Sequence, residues 1–165
     1  MPQVEVDKQV NKKLVGAVAG AAAVLGLAVL AYLVLIPTPQ QAAARADSLS
    51  AQYKYDEAIG TLKLAQWRAF TSGDKEKLLS RLAFLSLKTN DLTAALNYYK
   101  QEEKLLPNDT TIPGLAGDTA ERLGNKAEAV RQYNLAIDAI SRITNLQPLQ
   151  DNRDYFRAKI QELSQ

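Results

Sequence analysis

The chain has no cysteine and no histidine among its 165 residues. Disulfide bonds, thiolate nucleophiles, imidazole bases and metal sites made of Cys and His are therefore excluded. The absence of cysteine fits an oxidising or extracytoplasmic compartment, but many cytosolic domains also lack cysteine. We predict that the protein binds no metal and no cofactor.

A surplus of charge of one sign is also missing. The 20 basic residues nearly balance the 18 acidic ones, and the formal net charge is +2. Binding to a phosphate backbone requires a concentrated basic surface. Nucleic acid is therefore not a predicted partner.

Sequence motifs of enzymes are absent as well. There is no nucleotide-binding glycine loop, no GxSxG and no acidic calcium loop. Neighbouring carboxylates such as Asp56 and Glu57 point in different directions on a helix. We predict that the protein is not an enzyme, and the alternative is a catalytic site made of scattered Asp, Glu or Ser residues.

One long apolar segment is present, at residues 14–36. Its 23 residues carry no charge and include twelve Leu, Val or Ile. As a helix they would extend about 34 Å, enough to cross the hydrocarbon core of a membrane. We predict a transmembrane helix over residues 14–36, in contact with lipid, with a cleaved signal peptide as the alternative.

The residues around this segment predict its orientation and its packing. Lysines cluster at residues 8–13, whereas the first basic residue after the segment is Arg45. Positive flanks stay on the cytoplasmic side, which predicts a cytoplasmic tail at residues 1–13 and an extracytoplasmic domain. Gly16 and Gly20 form a GxxxG spacing that allows close helix packing in a membrane. It suggests a homo-oligomer, with lipid-facing residues as the alternative.

A new helix is predicted directly after the apolar segment. Pro37 ends or kinks the preceding helix. Thr38 and Gln41, the first and last residues of TPQQ, have the spacing of a capping box, and Pro39 suits the first helical position. The sequence therefore indicates that the next helix begins at Pro39.

Three later segments repeat one order of residues: KYDEAIGTL, NDLTAALNYY and GNKAEAVRQY. Each has a turn, a polar helix start, an alanine, an aliphatic residue and a large apolar residue. The alanines are Ala58, Ala95 and Ala129, which are 37 and 34 residues apart. A period near 34 is typical of tetratricopeptide repeats (TPR), and residues 39–143 resemble three repeats of the TPR family.

The resemblance implies which residues allow the helices to cross closely. The small residues at the crossings are Ala46, Ala83 and Gly117 in the first helices, and Ala58, Ala95 and Ala129 in the second helices. A later small position holds Ala65 and Ala136, but Glu102 in the middle repeat. The first-helix aromatic of the family is replaced by Ala42, Leu79 and Pro113. Another domain of three helical hairpins is the alternative.

The predicted fold is therefore all-α. It comprises the transmembrane helix at 14–36, three TPR-like helix-turn-helix repeats over 38–147 that form an α-solenoid, and a C-terminal capping helix at 148–165. The capping helix has apolar Phe156, Ile160 and Leu163 between polar residues, which suits the end of a repeat array. A partner-binding helix is the alternative.

In TPR-like proteins, the first helices line a groove that holds a peptide or a partner helix. The resemblance implies a groove lined by Asp47, Ser50, Lys77, Ser80, Phe84, Leu87, Lys88, Asp118, Glu121 and Arg122. Core packing is the alternative for the apolar Phe84 and Leu87. Two aromatic residues outside the groove, Trp67 and Phe70, are expected to fill the joint between repeats one and two, with an exposed patch as the alternative.

The predicted function is that of a membrane-anchored protein–protein interaction module. It would dock another protein or peptide near the membrane, and its architecture resembles that of anchored TPR proteins in export, envelope and pilus assembly. The alternative is a structural subunit or homo-oligomer held through the transmembrane helix.

Overall fold

The computed structural model describes Val18 and residues 23–32, 34–143 and 150–165, without the side chains of Gln150 and Asp151. The chain divides into two compact units, Met1–Pro37 and Thr38–Gln165. In the described part of the chain, every regular element is a helix.

The prediction of a membrane-crossing helix over residues 14–36 is wrong. Among the described residues, no helix combines the length and the apolar character that crossing a membrane requires. The predicted single-pass topology, with a cytoplasmic N terminus and an extracytoplasmic domain, is wrong for the same reason. Gly16 and Gly20 lie outside the described residues.

The described residues of the second unit form seven α-helices and one short 3-10 turn at Gln66–Arg68. The helices are α1 (Pro39–Ala51), α2 (Tyr55–Ala65), α3 (Ser72–Lys88), α4 (Leu92–Leu105), α5 (Thr111–Arg122), α6 (Lys126–Ser141) and α7 (Gln150–Leu163). Consecutive helices pack against each other, and α1 also packs against α3. The first six helices thus form three hairpins, and the first helix of the first hairpin, α1, lies beside the first helix of the second, α3.

Side-chain caps fix where several of these helices begin, including α1, α4 and α6. At the start of α1, the Thr38 amide donates to Oε1 of Gln41 (3.0 Å) and the Gln41 amide donates to Oγ1 of Thr38 (3.2 Å). This is the predicted capping box, with Pro39 at the first helical position. Asp91 and Asn125 accept bonds from backbone amides three residues later and cap α4 and α6.

The three hairpin turns share one backbone geometry, although their sequences differ. Tyr53, Asn90 and Gly124 each have a positive φ, at 62°, 59° and 73°. In each turn the amide of the following residue donates to a carbonyl five residues back, which ends the first helix in a Schellman motif. Only the third turn has a glycine, Gly124, at this position, and glycine adopts a positive φ without strain.

The small residues of the repeat pattern lie where the helices cross. Ala46, Ala83, Ala58, Ala95 and Ala129 are almost completely buried. Gly117 is buried against the ring of Tyr133, and Gly114 lies against Phe156. Buried residues of α1 to α3 form one apolar cluster, and a second cluster joins α3 to α7. The hairpins are therefore held by close backbone approach and by shared aliphatic cores.

Helix α7 packs on the last hairpin. Phe156 is buried and stacks on Tyr133 of α6, with ring centroids 5.5 Å apart. Ile160 and Leu163 pack against the same cluster. Residues 144–149 lie outside the described part, so the predicted boundary between the repeats and the capping helix stays a prediction.

An ionic network around Glu128 joins the second and third hairpins. Oε1 of Glu128 accepts bonds from Lys100 of α4 (3.1 Å), Arg131 (2.9 Å) and the buried amide of Gln132 (3.1 Å). The hydrogen bond from Arg131 is the main cause that lowers the pKa of Glu128 to about 2. The side chain of Glu128 therefore binds Lys100, Arg131 and Gln132. A capping box would instead require it to accept a hydrogen bond from the backbone amide of Asn125.

Replacing this carboxylate should weaken the fold at neutral pH. We expect Glu128→Gln to lower the free energy of unfolding by about 1–2 kcal/mol at pH 7, since the two cations are partly exposed and screened by solvent. A depressed carboxylate pKa contributes stability above pH 4.5 and loses it as the pH falls towards 2, so the difference should vanish near pH 2. Urea unfolding at both pH values measures it. Asp154→Asn, which removes an exposed pair with Arg157, is the matched control; an equal loss in both variants would contradict the prediction.

Candidate functional site

The candidate site lies on the exposed side of α1, α3 and α5, the first helices of the three hairpins. On α3 it comprises Lys77, Arg81, Phe84 and Lys88, whose spacing of three and four residues places them on one face of the helix. Phe84 is 51% exposed, although it is a large apolar residue. The ammonium of Lys88 lies 5.1 Å from the centre of its ring, a cation–π geometry.

The first two hairpins are linked across this face by an ion pair. The guanidinium of Arg81 donates to both carboxylate oxygens of Asp47 on α1, at 3.0 Å each. The hydrogen bond from Arg81 to Asp47 raises the pKa of the guanidinium. Arg81 was not predicted from the sequence, although its position one turn from both Lys77 and Phe84 could have indicated it.

The first helices of the hairpins carry different kinds of side chain at equivalent positions. When the helices are aligned on Ala46, Ala83 and Gly117, the position of Asp47 corresponds to Phe84 and to Asp118, and the position of Arg81 corresponds to Leu115. Leu115 is 40% exposed. At the positions where α1 and α3 have an ion pair, α3 and α5 therefore present two exposed apolar residues, Phe84 and Leu115.

The carboxylates on α5 bind side chains of the same chain, on α6 and α7. The hydroxyl of Tyr133 lies 2.8 Å from both Asp118 and Glu121, and the ammonium of Lys159 on α7 lies 2.8 Å from Glu121. The hydroxyl of Tyr155 donates to Asp118 at 3.3 Å. The hydrogen bond from Lys159 is the main cause that lowers the pKa of Glu121, while burial chiefly raises that of Tyr133.

The predicted groove residues therefore separate into groups. Lys77, Phe84 and Lys88 share the α3 face, and Arg122 is exposed on α5. Leu87 packs against the core cluster, as its alternative interpretation stated. Three others interact within the chain: Ser80 with Glu102, and Asp118 and Glu121 with side chains of α6 and α7.

Trp67 and Phe70 lie away from this face, near the 3-10 turn after α2. They are 73% and 77% exposed. The expectation that they fill the joint between the first two repeats is wrong, and the exposed patch is what the structure shows. Ala69, between them, is the buried residue of this segment.

A metal site would require several carboxylates that converge on one point within the described residues. No group of three or more Asp or Glu side chains there is placed to hold a metal ion. The absence of enzymatic activity stays a prediction.

The sequence has no matching family model and no matching curated relative. It is similar in structure to PcrH from Pseudomonas aeruginosa, with 14% sequence identity and a TM-score of 0.58. The similarity covers 77% of this chain and 92% of PcrH. At that identity it shows the fold alone, and the fold is one of TPR-like helical repeats.

Proposed function

We propose that the protein is a protein–protein interaction module that binds a segment of another protein on the α1–α3–α5 face, anchored on Phe84. The observation that supports this most directly is the half-exposed Phe84 on α3. In the repeat alignment, Phe84 and the exposed Leu115 take the positions of Asp47 and Arg81. Large aromatic anchors that become buried on binding contribute a large share of interface energy. The TPR-like fold supports the proposal, because such repeats present extended binding surfaces.

The charges on this face favour an acidic partner segment. Its three carboxylates already have partners within the chain: Asp47 pairs with Arg81, and Asp118 and Glu121 bond to α6 and α7. Lys77, Lys88 and Arg122 belong to no ion pair in the described structure. The charge left to meet a partner is therefore positive. We infer a segment with one large apolar residue flanked by Asp or Glu.

Replacing Phe84, the proposed anchor, should weaken peptide binding without changing the fold. Peptides would first be selected on the wild-type protein from a displayed random library, and their dissociation constants then measured by titration. We expect selected peptides to carry acidic residues beside an apolar one. Phe84→Ala should weaken them by at least tenfold, or about 1.4 kcal/mol, because the anchor loses its buried contact area. Lys88→Glu should weaken them by a similar factor and reduce the salt dependence of binding.

The matched control is Phe70→Ala, which removes a more exposed phenylalanine from another surface. Binding to this variant should equal binding to the wild type. Selected peptides that lose as much affinity on Phe70→Ala as on Phe84→Ala would place the interaction elsewhere. Peptides that are basic around the anchor would contradict the charge argument.

A further inference from the structure

A cavity of about 370 Å³ lies between three elements of the first two hairpins, away from the α1–α3–α5 face. It is partly open to solvent and is bounded by the end of α2 with its 3-10 turn, the beginning of α3 and the end of α4. Its lining residues are Gln66, Ala69, Lys75, Leu78, Leu79, Gln101, Lys104 and Leu105. Its volume falls in the range of about 300–1,000 Å³ typical of small-molecule sites.

The lining combines an apolar floor with a cationic rim. Ala69, Leu78 and Leu79 are buried at the bottom of the cavity. Lys75 and Lys104 reach it from two different helices, and both are exposed. No acidic side chain belongs to this lining, and in the described structure neither lysine forms an ion pair.

A ligand that matches this lining must have an apolar body and a negative end. The aliphatic floor gains from burying a hydrocarbon chain, by about 0.8 kcal/mol for each CH₂ group. Two ammonium groups without an acidic partner can bind one anionic head group, and the glutamine amides can donate further hydrogen bonds. Neither a neutral alkane nor a polar anion would use both parts of the cavity.

We propose that this cavity binds a small single-chain anionic amphiphile, an alkyl or acyl chain that ends in a carboxylate or a phosphate. The chain lies on Ala69, Leu78 and Leu79, and the head group lies between Lys75 and Lys104. Glu102 and Glu103 follow Gln101 along α4 but do not line the cavity, so the head group meets no carboxylate there. The proposal is independent of the peptide surface around Phe84.

The protein supplies its own reporter of binding. Trp67 is the single tryptophan of the chain, and it adjoins Gln66 of the lining. Its fluorescence, together with calorimetry, would be followed during titration with decanoate, decyl phosphate and 1-decanol, each below its micelle or solubility limit. We expect saturable binding of one decanoate or decyl phosphate, at least tenfold tighter than binding of 1-decanol.

Variants of the rim and the floor separate the two parts of the proposal. Lys75→Met with Lys104→Met should weaken decanoate at least tenfold and leave 1-decanol unchanged, and the exposed Lys126→Met is the control. Leu79→Phe should weaken all three ligands by filling the cavity. Thermal unfolding of each variant shows that it is folded. No saturable binding of either anion, equal affinity for decanoate and 1-decanol, or an unchanged affinity in the double lysine variant would each overturn the proposal.

Discussion

Replacing Gly117 by alanine is expected to lower the free energy of unfolding by about 2 kcal/mol. A Cβ atom at this position would lie 2.5 Å from Cδ1 and 3.1 Å from Cζ of Tyr133. Tyr133 is fully buried and its hydroxyl is held by two carboxylates, so the ring cannot move aside freely. Overpacking of this kind costs about 1–3 kcal/mol, more than the gain in helix propensity from glycine to alanine.

Gly60→Ala is the matched control, because Gly60 lies inside α2 and a Cβ atom there would meet nothing within 4 Å. This variant should be more stable by about 0.5–1 kcal/mol, through helix propensity alone. Urea unfolding of both variants, with an unchanged slope, measures the two effects. If Gly117→Ala were as stable as Gly60→Ala, α5 and α6 would not pack as closely as described.

The sequence was sufficient to predict the residues that repeat. Ala58, Ala95 and Ala129 were identified from their spacing, and the structure buries all three completely. The capping box of Thr38 and Gln41 was predictable for a related reason, since its two partners lie three residues apart. Local signals of this kind survive folding because the tertiary structure does not change which groups are neighbours.

Contacts between distant parts of the chain could not be predicted in the same way. The bonds from Tyr155 to Asp118 and from Lys159 to Glu121 join residues 37 and 38 positions apart. Because α7 belongs to no repeat, no spacing indicates which face it covers. The sequence therefore assigned Asp118 and Glu121 to an open groove, whereas both serve to hold α7.

Two other predictions, the membrane-crossing helix and the buried position of Trp67 and Phe70, failed for different physical reasons. The segment 14–36 was identified from its apolar content, but among the described residues no helix combines that character with the length that crossing a membrane requires. Trp67 and Phe70 were placed in a joint because large aromatics are usually buried. The structure fills that place with Ala69 and leaves both rings exposed.

Glu102 is the departure from the repeat pattern with the largest expected consequence. It is 5% exposed and occupies the position that Ala65 and Ala136 hold in the other repeats. Burial, with the negative charges of Glu76 and Asp109, raises its pKa to about 7, and a hydrogen bond from Ser80 only partly opposes this. A carboxyl group thus lies in a core position, and among the described residues it belongs to no ion pair.

This carboxyl group should make the protein less stable as the pH rises from about 4.5 to about 7. In that interval the folded state keeps a proton that the unfolded chain releases, so each step in pH favours unfolding. The total effect is about 3 kcal/mol at most, and it stays constant at higher pH. We expect Glu102→Gln to be about 2–3 kcal/mol more stable than the wild type at pH 8, and nearly equal to it at pH 4.5.

Urea unfolding at both pH values, with Glu57→Gln as the exposed control on α2, measures this difference. Ionisable groups that do not interact with Glu102 contribute equally to the wild type and the variant, so their contributions cancel in the comparison. A stabilisation by Glu102→Gln that is equal at both pH values would arise from packing and not from ionisation. A loss of stability at pH 8 would show that the carboxylate is charged and satisfied in the folded protein, and would contradict the raised pKa.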